Sequence, residues 1–171
     1  IHLYATDLSS GDIYSLLPIT YSMNAGIDQN AASNTAKYKT AVVANRIAYI
    51  GNVQYDGTIY GDAVFKSPVN KFDIFSSDRR LEASINDGDS IVKLETYADR
   101  LLIFKKNKLE LLNISQEVEF LEDTFMHKGV SHPAATCKTD FGIAWVNTLG
   151  CYLYDGQKVV NLLEKGGRQI I

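Results

Sequence analysis

Carboxylate, imidazole and thiol side chains could do chemistry at a few places along this 171-residue chain. Glu117, Glu119, Glu122 and Asp123 offer a carboxylate pair of the kind that splits a glycosidic bond. That chemistry needs two of them a few ångströms apart in a cleft, whereas their crowding along the chain reads as an acidic link. His127, His132 and Cys137 form H-x4-H-x4-C. A zinc site wants a fourth ligand and spacings that bring two ligands onto one turn, so ordinary polar roles are expected. Asn86-Asp87-Gly88-Asp89 has the look of a partial calcium loop. It lacks the spaced carboxylates and the terminal Glu, and a turn before a strand is expected there.

Other motifs fail in the same way. Val53-Gln54-Tyr55-Asp56-Gly57-Thr58 has the Asp and Gly of a sialidase Asp-box without its Ser/Thr and Trp. Asn113-Ile114-Ser115 fits the glycosylation sequon but falls in an expected strand. No nucleophile elbow, phosphate loop or dinucleotide fingerprint occurs. Tyr14, Tyr21, Tyr49, Tyr60, Tyr97, Trp145, Tyr152 and Tyr154 could build a sugar platform, but in strands they read first as packing. No catalytic, cofactor-binding or metal-ligating residue is assigned, and no cofactor is expected.

Composition narrows the class. The chain is 46% hydrophobic and 22% charged, with a net charge of −3 and a pI near 5.6. A duplex-binding module would show a basic face, and the longest basic run is Lys105-Lys106-Asn107-Lys108, whose lysines are expected at a hairpin end as solvated charges. No apolar segment has the length to span a membrane. Cys137 and Cys151 fall in neighbouring expected strands, where buried free thiols are the expected state. The chain opens and closes in mid-pattern, as a piece of a longer polypeptide would.

Ten Tyr and seven Phe against one Trp and three Pro favour pleated, half-buried surfaces. Short apolar runs between turn formers recur throughout. The middle of the chain, Asp89 to Phe120, is the densest. Ile91–Thr96, Arg100–Lys105 and Lys108–Ile114 read as strands, and Val118 and Phe120 join a fourth. Before it, a hairpin is expected over Ile1–Leu17. Thr20–Lys37 reads as a long surface loop. Strands follow at Thr40–Val43, Arg46–Ile50, Ile59–Tyr60, Ala63–Phe65 and Phe72–Phe75. A polar connection over Ser76–Asp89 then leads into the dense middle. After it, Glu117–His132 reads as a link. Strands return at Ala134–Lys138, Gly142–Val146, Cys151–Tyr154 and Val159–Leu162, with Asp155-Gly156 as a hairpin turn.

Three segments overlay: AVVANRIAYIGN from Ala41, LETYADRLLIFKK from Leu94 and CKTDFGIAWVN from Cys137. Their second strands begin at Arg46, Arg100 and Gly142, spacings of 54 and 42 residues. A period of roughly 40–50 residues with four short strands is the signature of propeller blades. Blades bury both faces, which explains second strands that are nearly continuously apolar. The expected fold is all-β: a β-propeller segment of about three four-stranded blades plus a partial N-terminal blade. Residues 1–171 are expected to form one propeller-like domain, with residues 20–37 as its long surface loop. A β-sandwich is the alternative, and it calls for cleaner alternation than these strands show.

The motifs also resemble a family. Ser67-Pro68-Val69-Asn70-Lys71-Phe72-Asp73-Ile74-Phe75 carries an N-x-(Y/F)-D-x-F element. Gly88-Asp89-Ser90-Ile91-Val92-Lys93-Leu94 and Arg100-Leu101-Leu102-Ile103-Phe104-Lys105 follow as G-D-x-I-x-x-L and R-L-L-x-F-K. Then come Lys128-Gly129-Val130-Ser131-His132-Pro133-Ala134, Gly142-Ile143-Ala144-Trp145 and Gly150-Cys151-Tyr152-Leu153-Tyr154-Asp155-Gly156. In order and spacing these resemble tail tubular (nozzle) and packaged-DNA stabilisation proteins of short-tailed phages. The resemblance covers about Tyr38–Leu163. It implies a non-enzymatic virion protein in the tail, set in a homo-oligomeric ring beside portal, connector or tail components. DNA would pass through that ring without specific binding, and no family site residues carry over. The alternatives are a carbohydrate-binding or glycan-degrading propeller module and a cellular protein-interaction propeller.

Overall fold

In a computed structural model the described residues are 4–6, 13–15, 37–55, 58–72, 75, 79–81 and 87–163. The chain divides into two compact units, Ile1–Glu82 and Ala83–Ile171. Among the described residues the regular structure is β-strand apart from short 3-10 segments, so the chain is all-β.

The first unit opens with β1 (Tyr4–Thr6) and β2 (Ile13–Ser15), paired antiparallel with Tyr4 opposite Ser15. This is the core of the expected hairpin. Residues 20–36 of the expected long loop lie outside the described residues, and Lys37 already belongs to the next strand. That strand is β3 (Lys37–Ala44), followed by β4 (Ile47–Tyr55), β5 (Thr58–Lys66) and β6 (Arg80–Leu81), in sheet order β3-β4-β5-β6.

Two expectations are corrected here. Gly51-Asn52 reads as the end of a strand, yet β4 runs through it. The pairing with β5 shifts between Gly51 and Val53, and Asn52 takes φ +57. A bulge with Asn in the left-handed region breaks the pattern without ending the strand. Facing it, Gly61-Asp62 no longer separates two strands. The fourth strand is Arg80–Leu81, with Leu81 opposite Val64, and the expected strand over Phe72–Phe75 is absent at its two described ends. Phe75 instead fills the core, 1% exposed, among Ala48, Ile50, Val53, Ala63 and Phe65. Ser67 fixes the chain beyond β5, because its Oγ accepts from Ala48 N–H at 2.9 Å and donates to the Pro68 carbonyl.

The second unit holds two more sheets. One contains β7 (Ile91–Tyr97), β8 (Arg100–Lys105), β9 (Lys108–Asn113) and β10 (Phe120–Met126). The other contains β11 (Thr136–Thr139), β12 (Gly142–Asn147), β13 (Gly150–Tyr154) and β14 (Val159–Asn161). Each is a four-stranded antiparallel meander in chain order. The expected link over Glu117–His132 is half strand, since β10 pairs with β9 through a second bulge between Leu121 and Asp123. Its acidic residues hide the apolar positions Phe120, Leu121 and Phe125 that make it a strand. Pro133–Ala135 is a 3-10 turn, not the start of a strand. His132 caps it through Nδ1, which accepts from Ala134 N–H. Asp155-Gly156 belongs to a four-residue connection, with Tyr154 opposite Val159.

The three overlaid segments are the first two strands of the three four-stranded sheets, with one adjustment. Asn45 and Arg46 both take positive φ, as Ala98 and Asp99 do. Both pairs are therefore two-residue turns of the kind that matches strand twist. The counterpart of Arg100 and Gly142 is then Ile47, not Arg46. A one-residue slip inverts the assignment of every side chain to a face.

In the second unit the two sheets pack face to face. Leu102, Phe104, Leu109 and Leu111 meet Ile143, Trp145, Tyr152 and Tyr154. The Phe104 and Trp145 rings lie edge to face at 5.2 Å. The other face of β8 and β9 is buried too, at Leu101, Ile103, Lys105, Glu110 and Leu112. These strands are buried on both faces, and their near-continuous apolar runs follow from that.

Candidate functional site

Among the described residues, the densest group of paired charges sits at one end of the β7–β10 sheet. Alternation along β8 puts Leu101, Ile103 and Lys105 on one face. Along β9 it puts Lys108, Glu110 and Leu112 on the same face, with Ile103 opposite Glu110 and Leu101 opposite Leu112. Asp87 arrives from the turn before β7. Its Oδ1 accepts from Asp89 N–H at 2.9 Å, and Gly88 between them takes φ +75, a conformation glycine adopts without strain.

Four charges meet there. Lys105 Nζ lies 2.7 Å from Asp87 Oδ2 and 3.4 Å from Glu110 Oε1. Lys108 Nζ lies 2.5 Å from Asp87 Oδ2 and 3.6 Å from Glu110 Oε1. Two ammonium groups balance two carboxylates. Lys105 and Glu110 have side chains with 0% exposure. Glu110 has ion-pair partners but accepts no hydrogen bond through either oxygen. Its charge is offset by the two ammonium groups within 4 Å of Oε1. Burial pushes the Asp87 carboxyl up, but hydrogen bonds from Lys105, Lys108 and the Asp89 amide outweigh it and hold the group down at about 2. Burial opposes the charge on Lys108, and Asp87 more than restores it.

Next to the cluster, Asp89 caps the β8–β9 hairpin. Its carboxylate accepts from the backbone N–H groups of Lys106 and Asn107, at 3.0 and 3.1 Å, and from Asn107 Nδ2. The hairpin carbonyls are occupied in turn. Asn107 O accepts from His127 N–H at 2.8 Å and Lys105 O from Val130 N–H at 3.0 Å. Asn147, at the end of β12, donates through Nδ2 to the carbonyls of His127 and Gly129, both at 3.0 Å. Its Oδ1 accepts from Leu149 and Gly150. An unbroken line of hydrogen bonds runs from the turn before β7, through the β8–β9 hairpin and residues 127–130, to the β12–β13 turn. The Lys128 ammonium lies 4.5 Å from the centre of the Tyr152 ring, a cation–π contact along the same edge.

The residues singled out in the sequence are dispersed. His127 takes φ +63 and serves through its backbone, while His132 caps the 3-10 turn. Among the described residues no group of three or more His, Cys, Asp and Glu is placed to hold a metal. Glu122 forms a two-point ion pair with Arg100, whose second bond is 3.2 Å. That pair raises the Arg100 pKa. Asp123 accepts from Thr124 N–H, and Glu117 is exposed. Asp56 and Gly57 of the Asp-box comparison lie outside the described residues. Asn113 is buried, with Oδ1 accepting from Ser115, so its amide belongs to the turn. Tyr49, Trp145, Tyr152 and Tyr154 are core residues. Burial raises the Tyr154 pKa.

Two readings are overturned. Lys105 and Lys108 are not solvated hairpin charges, for only Lys106 and Asn107 stand exposed at that tip. The cysteines are not buried neighbours either. Cys137 is exposed and Cys151 half-buried, and both are free. They lie on β11 and β13, with β12 between them. The sequence did hold a signal for the charge cluster. Lys105 and Glu110 each continue an apolar row at spacing two, with opposite signs on either side of a short turn.

Chemically the arrangement holds elements together. Its carboxylates and ammonium groups neutralise one another and its amides are paired. No protein-family model matches this chain, and no curated protein matches it significantly in sequence. No helix among the described residues is long and apolar enough to cross a membrane.

Proposed function

We propose that this chain is a non-enzymatic structural component of a phage tail or connector, a nozzle-type protein that forms part of the DNA conduit. In this reading each four-stranded sheet is a blade of a β-propeller. The chain sits in a homo-oligomeric ring against portal, connector or tail proteins.

One observation carries the reading. Two residues of the phage-type motifs, Arg100 and Gly142, hold equivalent positions, opening the second strands β8 and β12 of successive four-stranded meanders. Successive sheets of the second unit pack face to face, as blades do. Asp87, Lys105, Lys108 and Glu110 are engaged in ion pairs and Asp89 in a cap, which suits a structural part. A net charge of −3 suits a conduit that must not hold phosphates. The carbohydrate reading has less support, because Tyr49, Tyr152 and Tyr154 are in the core.

The test is the composition of particles. Tailed particles purified from a lysate of the host carrying the gene are analysed by quantitative mass spectrometry, intact and after tail removal. The expected result is a peptide signal at several copies per particle that leaves with the tail. Absence of the chain from purified particles overturns the reading.

A further inference from the structure

The chain holds three Asp-Gly pairs, at Asp56-Gly57, Asp87-Gly88 and Asp155-Gly156. The first lies outside the described residues. A glycine after an aspartate leaves the backbone nitrogen uncrowded and the chain around it free to take many angles. That nitrogen is then within reach of the aspartate's own carboxyl carbon. The two described pairs share one geometry and differ in the surroundings of one atom.

In both, the Asp Oδ1 accepts from the N–H two residues further on, at 2.9 Å. That bond is an Asx turn. It closes a ring that includes the glycine nitrogen and holds the carboxyl carbon on the same side. At Asp87 the second oxygen, Oδ2, lies against the ammonium groups of Lys105 and Lys108, which clamp it as a carboxylate. Asp155 is exposed, and its carboxyl accepts through Oδ1 alone among the described residues, from Gln157 N–H and Lys158 N–H at 2.9 Å each. Gly156 N–H has no hydrogen-bond partner among the described residues.

We propose that Asp155-Gly156 is a self-modifying site, at which Asp155 isomerises to isoaspartate through a cyclic succinimide. From the protonated carboxyl, Gly156 N attacks Asp155 Cγ and forms the new N–C bond. The Cγ–Oδ2 bond breaks, and Oδ2 leaves as water with its own proton and the equivalent of the one lost from Gly156 N. The oxygen that gathers negative charge during the attack is Oδ1. The Gln157 and Lys158 amides face it at the distance of an oxyanion hole. Water then opens the ring. Attack at Cγ restores Asp155. Attack at the Asp155 backbone carbonyl carbon breaks its bond to Gly156 N and leaves the chain running through the former side chain. One water is lost and one gained. The same two amides hold the Asp155 carboxyl below its ordinary value, so the protonated form is scarce at neutral pH and the step is faster in mild acid.

The product carries one extra methylene in the backbone of a four-residue connection. Tyr154 pairs with Val159 across that connection. Gly156 sits close to the β7–β8 turn, where a Cβ on it would lie 3.2 Å from Ala98 and 3.4 Å from the Tyr97 ring. A longer connection fits neither constraint, so isomerisation loosens β14.

The full chain is held for weeks in mildly acidic buffer, either folded or in guanidinium. Isoaspartate at Asp87 and Asp155 is counted by chromatography of the peptides with electron-transfer fragmentation, since the mass does not change. The expected result in the folded chain is accumulation at Asp155 at least tenfold faster than at Asp87. In guanidinium the two sites should come within a few-fold of each other, because the contacts that separate them are gone. Absence of isoaspartate at Asp155 in the folded chain overturns the proposal, as does accumulation at Asp87 that keeps pace with it. A tenfold gap that persists in guanidinium assigns the difference to the flanking sequence and also overturns it. So does a folded rate at Asp155 more than tenfold below its rate in guanidinium, for the turn would then protect the carboxyl instead of activating it.

Discussion

Lys105 and Asp87 form an ion pair of 2.7 Å in which the ammonium group has no exposure to solvent. Lys105 is also one of two cations within 4 Å of the buried Glu110 carboxylate. A buried charge left without a partner is far more costly than a buried pair is stabilising. The cluster therefore acts as one unit.

That asymmetry yields the first prediction. Lys105→Met should destabilise the chain by about 3 kcal/mol, because Glu110 keeps only Lys108. Adding Glu110→Leu should recover most of the loss, since an apolar pair of similar volume is often as stable as the ion pair it replaces. Urea denaturation of the single and double variants measures both. A double variant no more stable than Lys105→Met would mean that the charges do not act together.

Acid should release the same cluster. The Asp87 carboxyl is lowered from 3.8 to about 2 in the folded chain. A lowered carboxyl stabilises the fold above its unfolded value and loses that contribution as pH falls through the folded value. The contribution is therefore complete above about pH 4 and fades toward pH 2. Asp87→Asn should be less stable than the native chain at pH 5 and should lose less on going from pH 4 to pH 2. Thermal midpoints at pH 5, 4, 3 and 2 give the comparison, and parallel curves would contradict it.

Asn147 should matter more than its place at a strand end suggests. Its side chain makes four hydrogen bonds, two donated to the carbonyls of His127 and Gly129 and two accepted from Leu149 and Gly150. Asn147→Ala should cost about 1–3 kcal/mol, as groups lose partners at a partly buried edge. Amide exchange should quicken at Val130 and Gly150 before it changes at Leu102 or Leu111. Uniform acceleration across the second unit would mean that Asn147 does not tie this edge locally.

Much of the strand pattern was readable because β8, β9, β12 and β13 carry apolar runs bounded by connections of two to six residues. The failures have specific causes. Asn52 in a bulge looks like a turn, since Asn favours the left-handed region in both settings. β10 looks like a link because Glu119, Glu122 and Asp123 crowd around its apolar positions Phe120, Leu121 and Phe125, while an edge strand tolerates charge on exposed positions. Phe75 looks like strand but serves as a plug, and only tertiary packing separates those roles. The charge cluster was hidden by a sound prior. Lysines beside a hairpin turn usually reach water, and Lys105 does not, because the face it shares with Leu101 and Ile103 is buried.

Glycine substitutions separate crowding from backbone strain at two ends of the same network. Gly129 has a negative or extended φ, but a Cβ there would fall 2.3 Å from Lys105 O and 2.5 Å from Lys106 O. Both atoms are backbone, and Lys105 O is held by Val130 N–H, so neither can swing aside. Gly88 is the reverse case: φ +75 with nothing within 4 Å of a Cβ. Gly129→Ala should therefore cost about 3 kcal/mol, the upper range for forced crowding, and should weaken the Asp89 cap that holds the same hairpin. Gly88→Ala should cost about 1 kcal/mol, the left-handed penalty for an L-residue, with the hairpin intact. Denaturant midpoints rank the two, and amide exchange at Lys106 and Asn107 reads the cap. If Gly88→Ala proves the more costly, or if those two amides are equally protected in both variants, the close packing of residues 127–130 on the β8–β9 hairpin is not what orders this end of the sheet.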